Sequence, residues 1–209
     1  MSRKVCTFVV GNMDYIVRYD SPLGGIMLVS DGEALIGLLF LTPSVFDNKV
    51  FGSPSGYDGQ KHFGSTFDIA SSTTSELPVF DKTRRWLDIY FSGRKPDFTP
   101  TMLIKGTPFQ KRVWTELLTI PYGQTVTYGE LARRLGCRSA QAVGGAVGRN
   151  PISIIVPCHR VVGTARANDD LPLRGYAGGL DRKRALLELE QKGIHDPFQG
   201  GSLEGANTY

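Results

Sequence analysis

Cys158, His159 and Arg160 stand side by side in Pro157-Cys158-His159-Arg160-Val161, bringing together a nucleophile, a base and a positive charge. A thiol reacts as its thiolate, and nearby positive charge makes that ionisation easier. On this reading His159 receives the thiol proton, the resulting imidazolium favours the thiolate, and Arg160 adds to the same field. A cysteine after an apolar run is also commonly an inert, small, buried hydrophobe. The pentapeptide alone leaves both readings open.

The residues around it must hold it in place. Ile152 to Val156 is a short apolar run bounded by Asn150-Pro151, and it predicts a buried strand that delivers Cys158 at its end. Upstream, Thr107-Pro108-Phe109-Gln110 supplies an N-cap, a first-turn proline and a capping-box glutamine. Phe109, Val113, Leu117 and Ile120 then form one apolar face, stopped at Pro121-Tyr122-Gly123. Thr127-Tyr128-Gly129-Glu130 reads as a second capping box, opening a helix with Leu131, Ala132 and Leu135 inside and Gly136 at its end. Ser139 caps a third helix that runs through Ala142, Val143 and Ala146 to Gly148. Two short helices joined by a tight glycine-containing turn make a helix-turn-helix pattern.

That third helix, Ala140-Gln141-Ala142-Val143-Gly144-Gly145-Ala146-Val147-Gly148, carries almost no bulk. Glycine in a helix interior costs about 1 kcal/mol relative to alanine. Something must therefore approach its backbone closely: either a neighbouring helix or a DNA minor groove, with Arg134, Arg138 and Arg149 placed for phosphates.

The N-terminal part alternates in the manner of strands. Tyr15 to Tyr19 is one, and Ile26 to Ser30 with Ala34 to Phe40 predicts a hairpin about Asp31-Gly32. Residues 42–76, rich in Ser, Gly, Thr and Asp, predict a long loop, and Asp81 to Phe91 has helical spacing. The expected class is α/β: a small N-terminal domain (1–95) of β-hairpin sheet plus helix, a linker (96–106), a mostly helical domain (107–195) and a tail (196–209).

Composition narrows the function. The chain has 209 residues and a formal net charge of +4. Between residues 105 and 160, Lys105, Lys111, Arg112, Arg133, Arg134, Arg138, Arg149 and Arg160 face only Glu116 and Glu130. The basic excess is confined to the stretch that holds the Cys-His pair, which points toward a polyanion. Cys6, Cys137 and Cys158 are too scattered for a disulfide framework, which suits a reducing compartment. Cys6 and His62 have no partners at ligand spacing, so no zinc site is expected. No apolar signal segment or membrane-length run is present, so a cytoplasmic location is expected, or a nuclear one in a eukaryote.

Taken together these motifs resemble the O6-alkylguanine-DNA alkyltransferases. The resemblance rests on Gly106-Thr107-Pro108-Phe109-Gln110, Ile120-Pro121-Tyr122-Gly123, Ala142-Val143-Gly144-Gly145-Ala146, Asn150-Pro151, Pro157 to Val162 and Gly175-Tyr176-Ala177-Gly178-Gly179-Leu180. It is close over 105–193 and looser in the N-terminal part, at Ser21-Pro22-Leu23-Gly24. It implies a DNA repair protein that binds double-stranded DNA through the minor groove and flips O6-alkylguanine out of the stack. The alkyl group then moves irreversibly to Cys158, once per molecule. O4-alkylthymine is a further implied substrate, and the protein is expected to be a monomer without a cofactor or metal.

The resemblance also implies roles. The Cys158 proton passes through a water to His159, which Glu190 orients. Tyr128 donates a proton to the departing guanine. Asn150 ties together the turns before the active site, Lys183 lies near the pocket, and Tyr176 and Ala177 line its mouth. Gln141, Ala142, Arg138, Arg149 and Arg160 complete the substrate- and DNA-binding set. For Glu190 and Lys183 the plain alternative is a helix-surface side chain, and for Tyr128 an aromatic packed on its own turn.

Two features depart from the family pattern. Gln141 stands where an arginine is usual, bringing no charge into the gap left by a flipped base. The loop from Gly163 to Arg174 is longer than expected. Two other functions compete: a non-catalytic sensor of alkylated DNA, and a Cys-His hydrolase working through a thioester. The first lacks the cysteine in its known examples, and the second finds no separate, distant histidine.

Overall fold

In the computed structural model, which describes residues 8–10, 14–41, 77–165 and 172–194, the N-terminal part is an antiparallel meander. Strands β1 (Phe8–Val10), β2 (Asp14–Ser21), β3 (Gly24–Ser30) and β4 (Leu35–Phe40) lie side by side in chain order. The hairpin about Asp31-Gly32 forms where its turn residues predict it. The Asp31 carboxylate accepts the N–H groups of Glu33 and Ala34, and Gly32 takes the left-handed φ of 105° that the turn needs. β1 is an addition to the expected strands. Cys6, His62, the 42–76 segment, Asp169, Asp170 and the 196–209 tail lie outside the described residues.

Helix α1 (Pro78–Phe91) lays Val79, Phe80, Trp86, Leu87 and Tyr90 into the core. It begins three residues before the expected start because Pro78 suits the first turn, where its missing N–H costs nothing. α2 (Pro108–Leu117) carries the complete capping box. Thr107 Oγ1 accepts from Gln110 N at 3.3 Å, and Gln110 Oε1 accepts from Thr107 N at 2.8 Å. α3 (Tyr128–Arg134) has only half of the expected second box: Thr127 Oγ1 accepts from Glu130 N, but the Glu130 carboxylate turns instead to Arg134 at 2.7 Å. An arginine one turn on competes successfully for that side chain. α4 (Ala140–Gly148), capped by Ser139, completes the helix-turn-helix pair, and α5 (Leu180–Ile194) closes the described chain. β5 (Val126–Thr127) and β6 (Val161–Val162) form a short parallel pair. Among the described residues no helix is long and apolar enough to cross a membrane.

One buried cluster runs from Val17, Leu28 and Leu38 of the sheet through Phe80 and Tyr90 to Trp114, Leu131, Val156 and Leu186. The outer edge of β4 joins the two parts. Residues of the expected linker dock there, with Leu35 N donating to Thr101 O and Leu103 N to Leu35 O. Beside them Leu38 N donates to Pro151 O, and Ser153 N to Leu38 O, both at 2.9 Å.

The run Ile152 to Val156 is not the expected strand. Ile152 alone bridges to Leu38. Beyond it the chain coils on itself, with Val156 N donating to Ile152 O and Ile155 N to Ser153 O. Ile154 sits at φ 70°, the one non-glycine residue with positive φ among those described. A short apolar run reports burial, not backbone shape, and here a coiled turn meets the same demand as a strand would.

Candidate active site

Cys158 opens a single 3₁₀ turn, Cys158–Arg160, and its side chain is buried with 6% exposure. Asn150, also buried, holds the preceding turn. Its Nδ2 donates to Val156 O at 2.7 Å and to Cys158 Sγ at 3.1 Å, while its Oδ1 accepts from Ile152 N at 3.0 Å. Burial pushes the Cys158 thiol above its ordinary range, against the pull of the Asn150 N–H and the positive charge of Lys183.

Lys183 is no surface lysine. It is fully buried on α5, and its Nζ donates to Val161 O and Arg174 O, both at 2.6 Å, and more loosely to Gly175 O at 3.4 Å. Burial lowers its pKa to about 8, with Cys158 opposing. The charge of this ammonium, and not that of Arg160, opposes the upward shift of the Cys158 thiol.

Arg160 departs from its expected role at the DNA face. Its side chain is only 11% exposed, and it grips Glu190 with Nε on Oε2 at 2.9 Å and Nη2 on Oε1 at 3.0 Å. Its remaining nitrogen, Nη1, donates to Ile120 O at 2.6 Å. A guanidinium fixed in this way is turned into the protein, away from any phosphate.

Glu190 lies on the buried face of α5. His159 Nε2 is 2.8 Å from its Oε1, and Gly123 N donates to Oε2 at 2.8 Å. Burial alone would raise the carboxyl pKa, but the hydrogen bonds and charges of His159 and Arg160 bring it down to about 2. Burial lowers the His159 pKa, and Glu190 only partly offsets this. The downward shift favours the neutral imidazole, the form able to take a proton. Its Nδ1 is buried and has no hydrogen-bond partner among the described residues.

One member of this group escaped sequence reading. Tyr90 of α1 donates its hydroxyl to Glu190 Oε1 at 2.8 Å and lies 3.4 Å from His159 Nε2. A usable signal existed: a tyrosine on the apolar face formed with Trp86 and Leu87 must find a buried partner for its hydroxyl.

Tyr128 opens α3, and its hydroxyl donates to Arg174 O at 3.1 Å. Burial, helped by Cys158, raises its pKa to about 12, so it is a proton-bearing donor. Tyr176 is half-buried and meets Phe40 of β4 edge-on at 6.5 Å, while Ala177 is exposed. On the other side of α4, Gln141, Ala142, Gly148, Arg138 and Arg149 are all exposed. The glycines there are not demanded by internal packing. A methyl group at Gly144 would rest in ordinary contact with Tyr128, one at Gly145 would press only on the Arg149 guanidinium that donates to Gly145 O, and one at Gly148 would meet nothing.

The chain matches two family models. Residues 15–103 match the 6-O-methylguanine DNA methyltransferase ribonuclease-like domain, and 108–192 the DNA binding domain of the same proteins. The methylated-DNA–protein-cysteine methyltransferase of Mycobacterium tuberculosis is 39% identical over 173 residues, spanning 82% of this chain and 89% of the relative. That of Methanosarcina acetivorans is 40% identical over 177 residues, spanning 84% and 97%. Among solved structures, Mycobacterium tuberculosis O6-methylguanine methyltransferase superposes with a TM-score of 0.64 at 37% identity, covering 89% of this chain and 98% of that one. Mycobacterium tuberculosis OGT in complex with DNA superposes at 0.62 with 38% identity, covering 84% and 92%. With its thiol, base and carboxylate in one buried group and both halves matched, this chain belongs to the methylated-DNA–protein-cysteine methyltransferase family.

Proposed function

We propose that the protein flips O6-alkylguanine out of duplex DNA and transfers the alkyl group to Cys158 in a single turnover. DNA repair by alkyl transfer follows from the family; flipping and single use are inferred from chemistry. The observation that carries the reading is the burial of the Cys158 sulfur. A base stacked within a duplex cannot reach it, so the nucleotide must leave the stack, at a cost of a few kcal/mol that is least for a poorly paired, damaged base.

In the transfer, Cys158 Sγ forms a bond to the alkyl carbon as that carbon's bond to O6 breaks, and the electron pair departs with the guanine. The thiol proton moves by way of a water to His159 Nδ1, with Nε2 held by Glu190. Tyr128 supplies a proton to the departing purine. Lys183 steadies the thiolate, and Tyr176 and Ala177 border the base. The product is a thioether, which lacks the acyl carbon through which water regenerates a thioester enzyme, so Cys158 stays alkylated.

DNA is approached by the α4 face through the minor groove, with Gln141 entering the gap left by the base and Arg138 and Arg149 on phosphates. The bare exposed backbone of α4 supports this, since nothing inside the protein requires its glycines. O4-alkylthymine is a second substrate of the same geometry, and the protein acts as a monomer.

Duplex DNA carrying radiolabelled O6-methylguanine tests the reading. One label per protein molecule, recovered on the tryptic peptide bearing Cys158, is expected. Label on Cys137, no transfer, or repeated turnover would each refute it.

A further inference from the structure

We propose that Tyr90, contributed by the N-terminal part of the chain, is a positioning residue of the base relay: it holds the Glu190 carboxylate so that His159 keeps its proton on Nε2 and its lone pair on Nδ1. The inference rests on the alkyl-transfer reading above for its kinetic consequences, but the geometry behind it is independent of substrate.

Glu190 Oε1 receives Tyr90 Oη at 2.8 Å, His159 Nε2 at 2.8 Å and Arg160 Nη2 at 3.0 Å, while Oε2 receives Gly123 N and Arg160 Nε. A hydroxyl has one proton. Once Tyr90 gives it to Oε1, its oxygen can only accept from His159 Nε2, 3.4 Å away. Both groups facing Nε2 are then acceptors, so the ring proton belongs there. The reverse arrangement would set a bare Nε2 lone pair against a carboxylate oxygen where both side chains are buried. The phenol keeps its proton throughout, because burial first and the Glu190 charge second raise its pKa well above the ordinary value.

The groups that can influence His159 come from every side. Tyr90 reaches it from α1, Arg160 from its own turn, and Glu190 and Lys183 from α5. Tyr90 alone among them comes from the N-terminal part. Its ring is separately anchored, stacked on Trp86 at 5.3 Å and edge-on to Phe91 at 5.5 Å and Tyr122 at 6.0 Å. Tyr90→Phe therefore removes the hydroxyl and leaves the packing.

Without that hydroxyl, more negative charge on Oε1 faces Nε2–H, and His159 holds a second proton to higher pH. Transfer from free O6-benzylguanine should slow roughly tenfold at neutral pH, the rate equivalent of one charge-assisted hydrogen bond. The acid limb of the pH–rate profile should move upward, with binding to undamaged duplex unchanged. The loss should vanish when Tyr90→Phe is made in a Glu190→Gln background, because the effect passes through that carboxylate. Nitrogen-15 chemical shifts of His159 should show Nε2–H in the wild type and a raised pKa in Tyr90→Phe, a readout that needs no reaction. An Nδ1–H tautomer, an unmoved His159 pKa, or equal losses in both backgrounds would overturn the proposal. A wild-type protein that takes up no alkyl group would instead refute the functional reading, leaving the tautomer measurement to judge Tyr90.

Discussion

Around Glu190, five donors converge on two carboxylate oxygens in a fully buried space, while the outer face of α4 turns Gln141, Ala142 and Gly148 toward solvent with hardly a side chain among them. The two regions follow opposite rules. Groups that move a proton must be in position before substrate arrives, so the Glu190 carboxylate that orients the base is held internally on both oxygens. A surface that receives another macromolecule must leave its backbone approachable, so it is built by omission. A buried polar network is sensitive to the loss of any one member, whereas a bare surface is sensitive to what is added.

The sharpest test of this contrast is Cys158→Ala. Transfer should be lost completely, read by the absence of label on protein, while damaged DNA still binds because phosphate contacts supply most of the affinity. Loss of both together would show that the two regions are not separable.

Next in size is Glu190→Ala, which strands Arg160 as an uncompensated charge and should cost about 3–5 kcal/mol in urea unfolding. Its pH dependence has a definite sign. The folded carboxyl pKa of about 2 lies below the usual 4.5, and His159 is also held below its usual 6.5. In both cases the unfolded chain binds the proton more readily, so stability present at neutral pH is lost as the pH falls, first as His159 would protonate and then between about 4.5 and 2. Glu190→Gln should flatten the lower part of that fall. An acid-unfolding curve identical to wild type would contradict the assignment.

On the other region the expected effects are smaller and opposite in kind. Gly148→Leu adds a side chain where nothing inside the protein would meet it, so stability should hold or rise slightly. Duplex binding should weaken about tenfold, while reaction with free O6-benzylguanine stays constant; equal effects on both substrates would move the DNA face elsewhere. Gln141→Arg should tighten duplex binding and speed transfer from duplex only. Smallest, Arg138→Ala and Arg149→Ala should weaken binding to all sequences alike and lower the salt slope by about one counterion each.

The same contrast explains what could be read in the sequence. Caps, turns and helix faces are local, and Thr107, Gln110, Ser139, Gly136 and the Asp31-Gly32 hairpin act where their chemistry predicts. Cys158, His159 and Glu190 could be named from motif and resemblance. Their environment could not. Whether Arg160 faces a phosphate or a carboxylate depends on chain 30 and 40 positions away, at Glu190 and Ile120, and whether Lys183 faces solvent or carbonyls depends on how the segments at Val161 and Arg174 fold back over it. Tyr90 was missed for the same reason, lying 69 residues from His159 and 100 from Glu190. The strand expected at Ile152 to Val156 failed differently: its residues report only that the segment is buried, which a coiled turn satisfies equally well.

That turn has a consequence for how repair would fail. Ile154 keeps a left-handed backbone that costs an L-residue about 1–2 kcal/mol, and it does so with its side chain almost fully buried, at 1% exposure. Glycine would relieve the backbone but empty part of the core, a loss of about 2–5 kcal/mol for a large aliphatic side chain. The core wins, so the conformation that presents Cys158 is held by its surroundings and not by its own preference. Softening those surroundings, by warming or by a cavity near Leu38, lets the turn relax toward ordinary backbone angles while the remaining fold stands. Repair capacity should then disappear at a lower temperature than the one at which the protein unfolds.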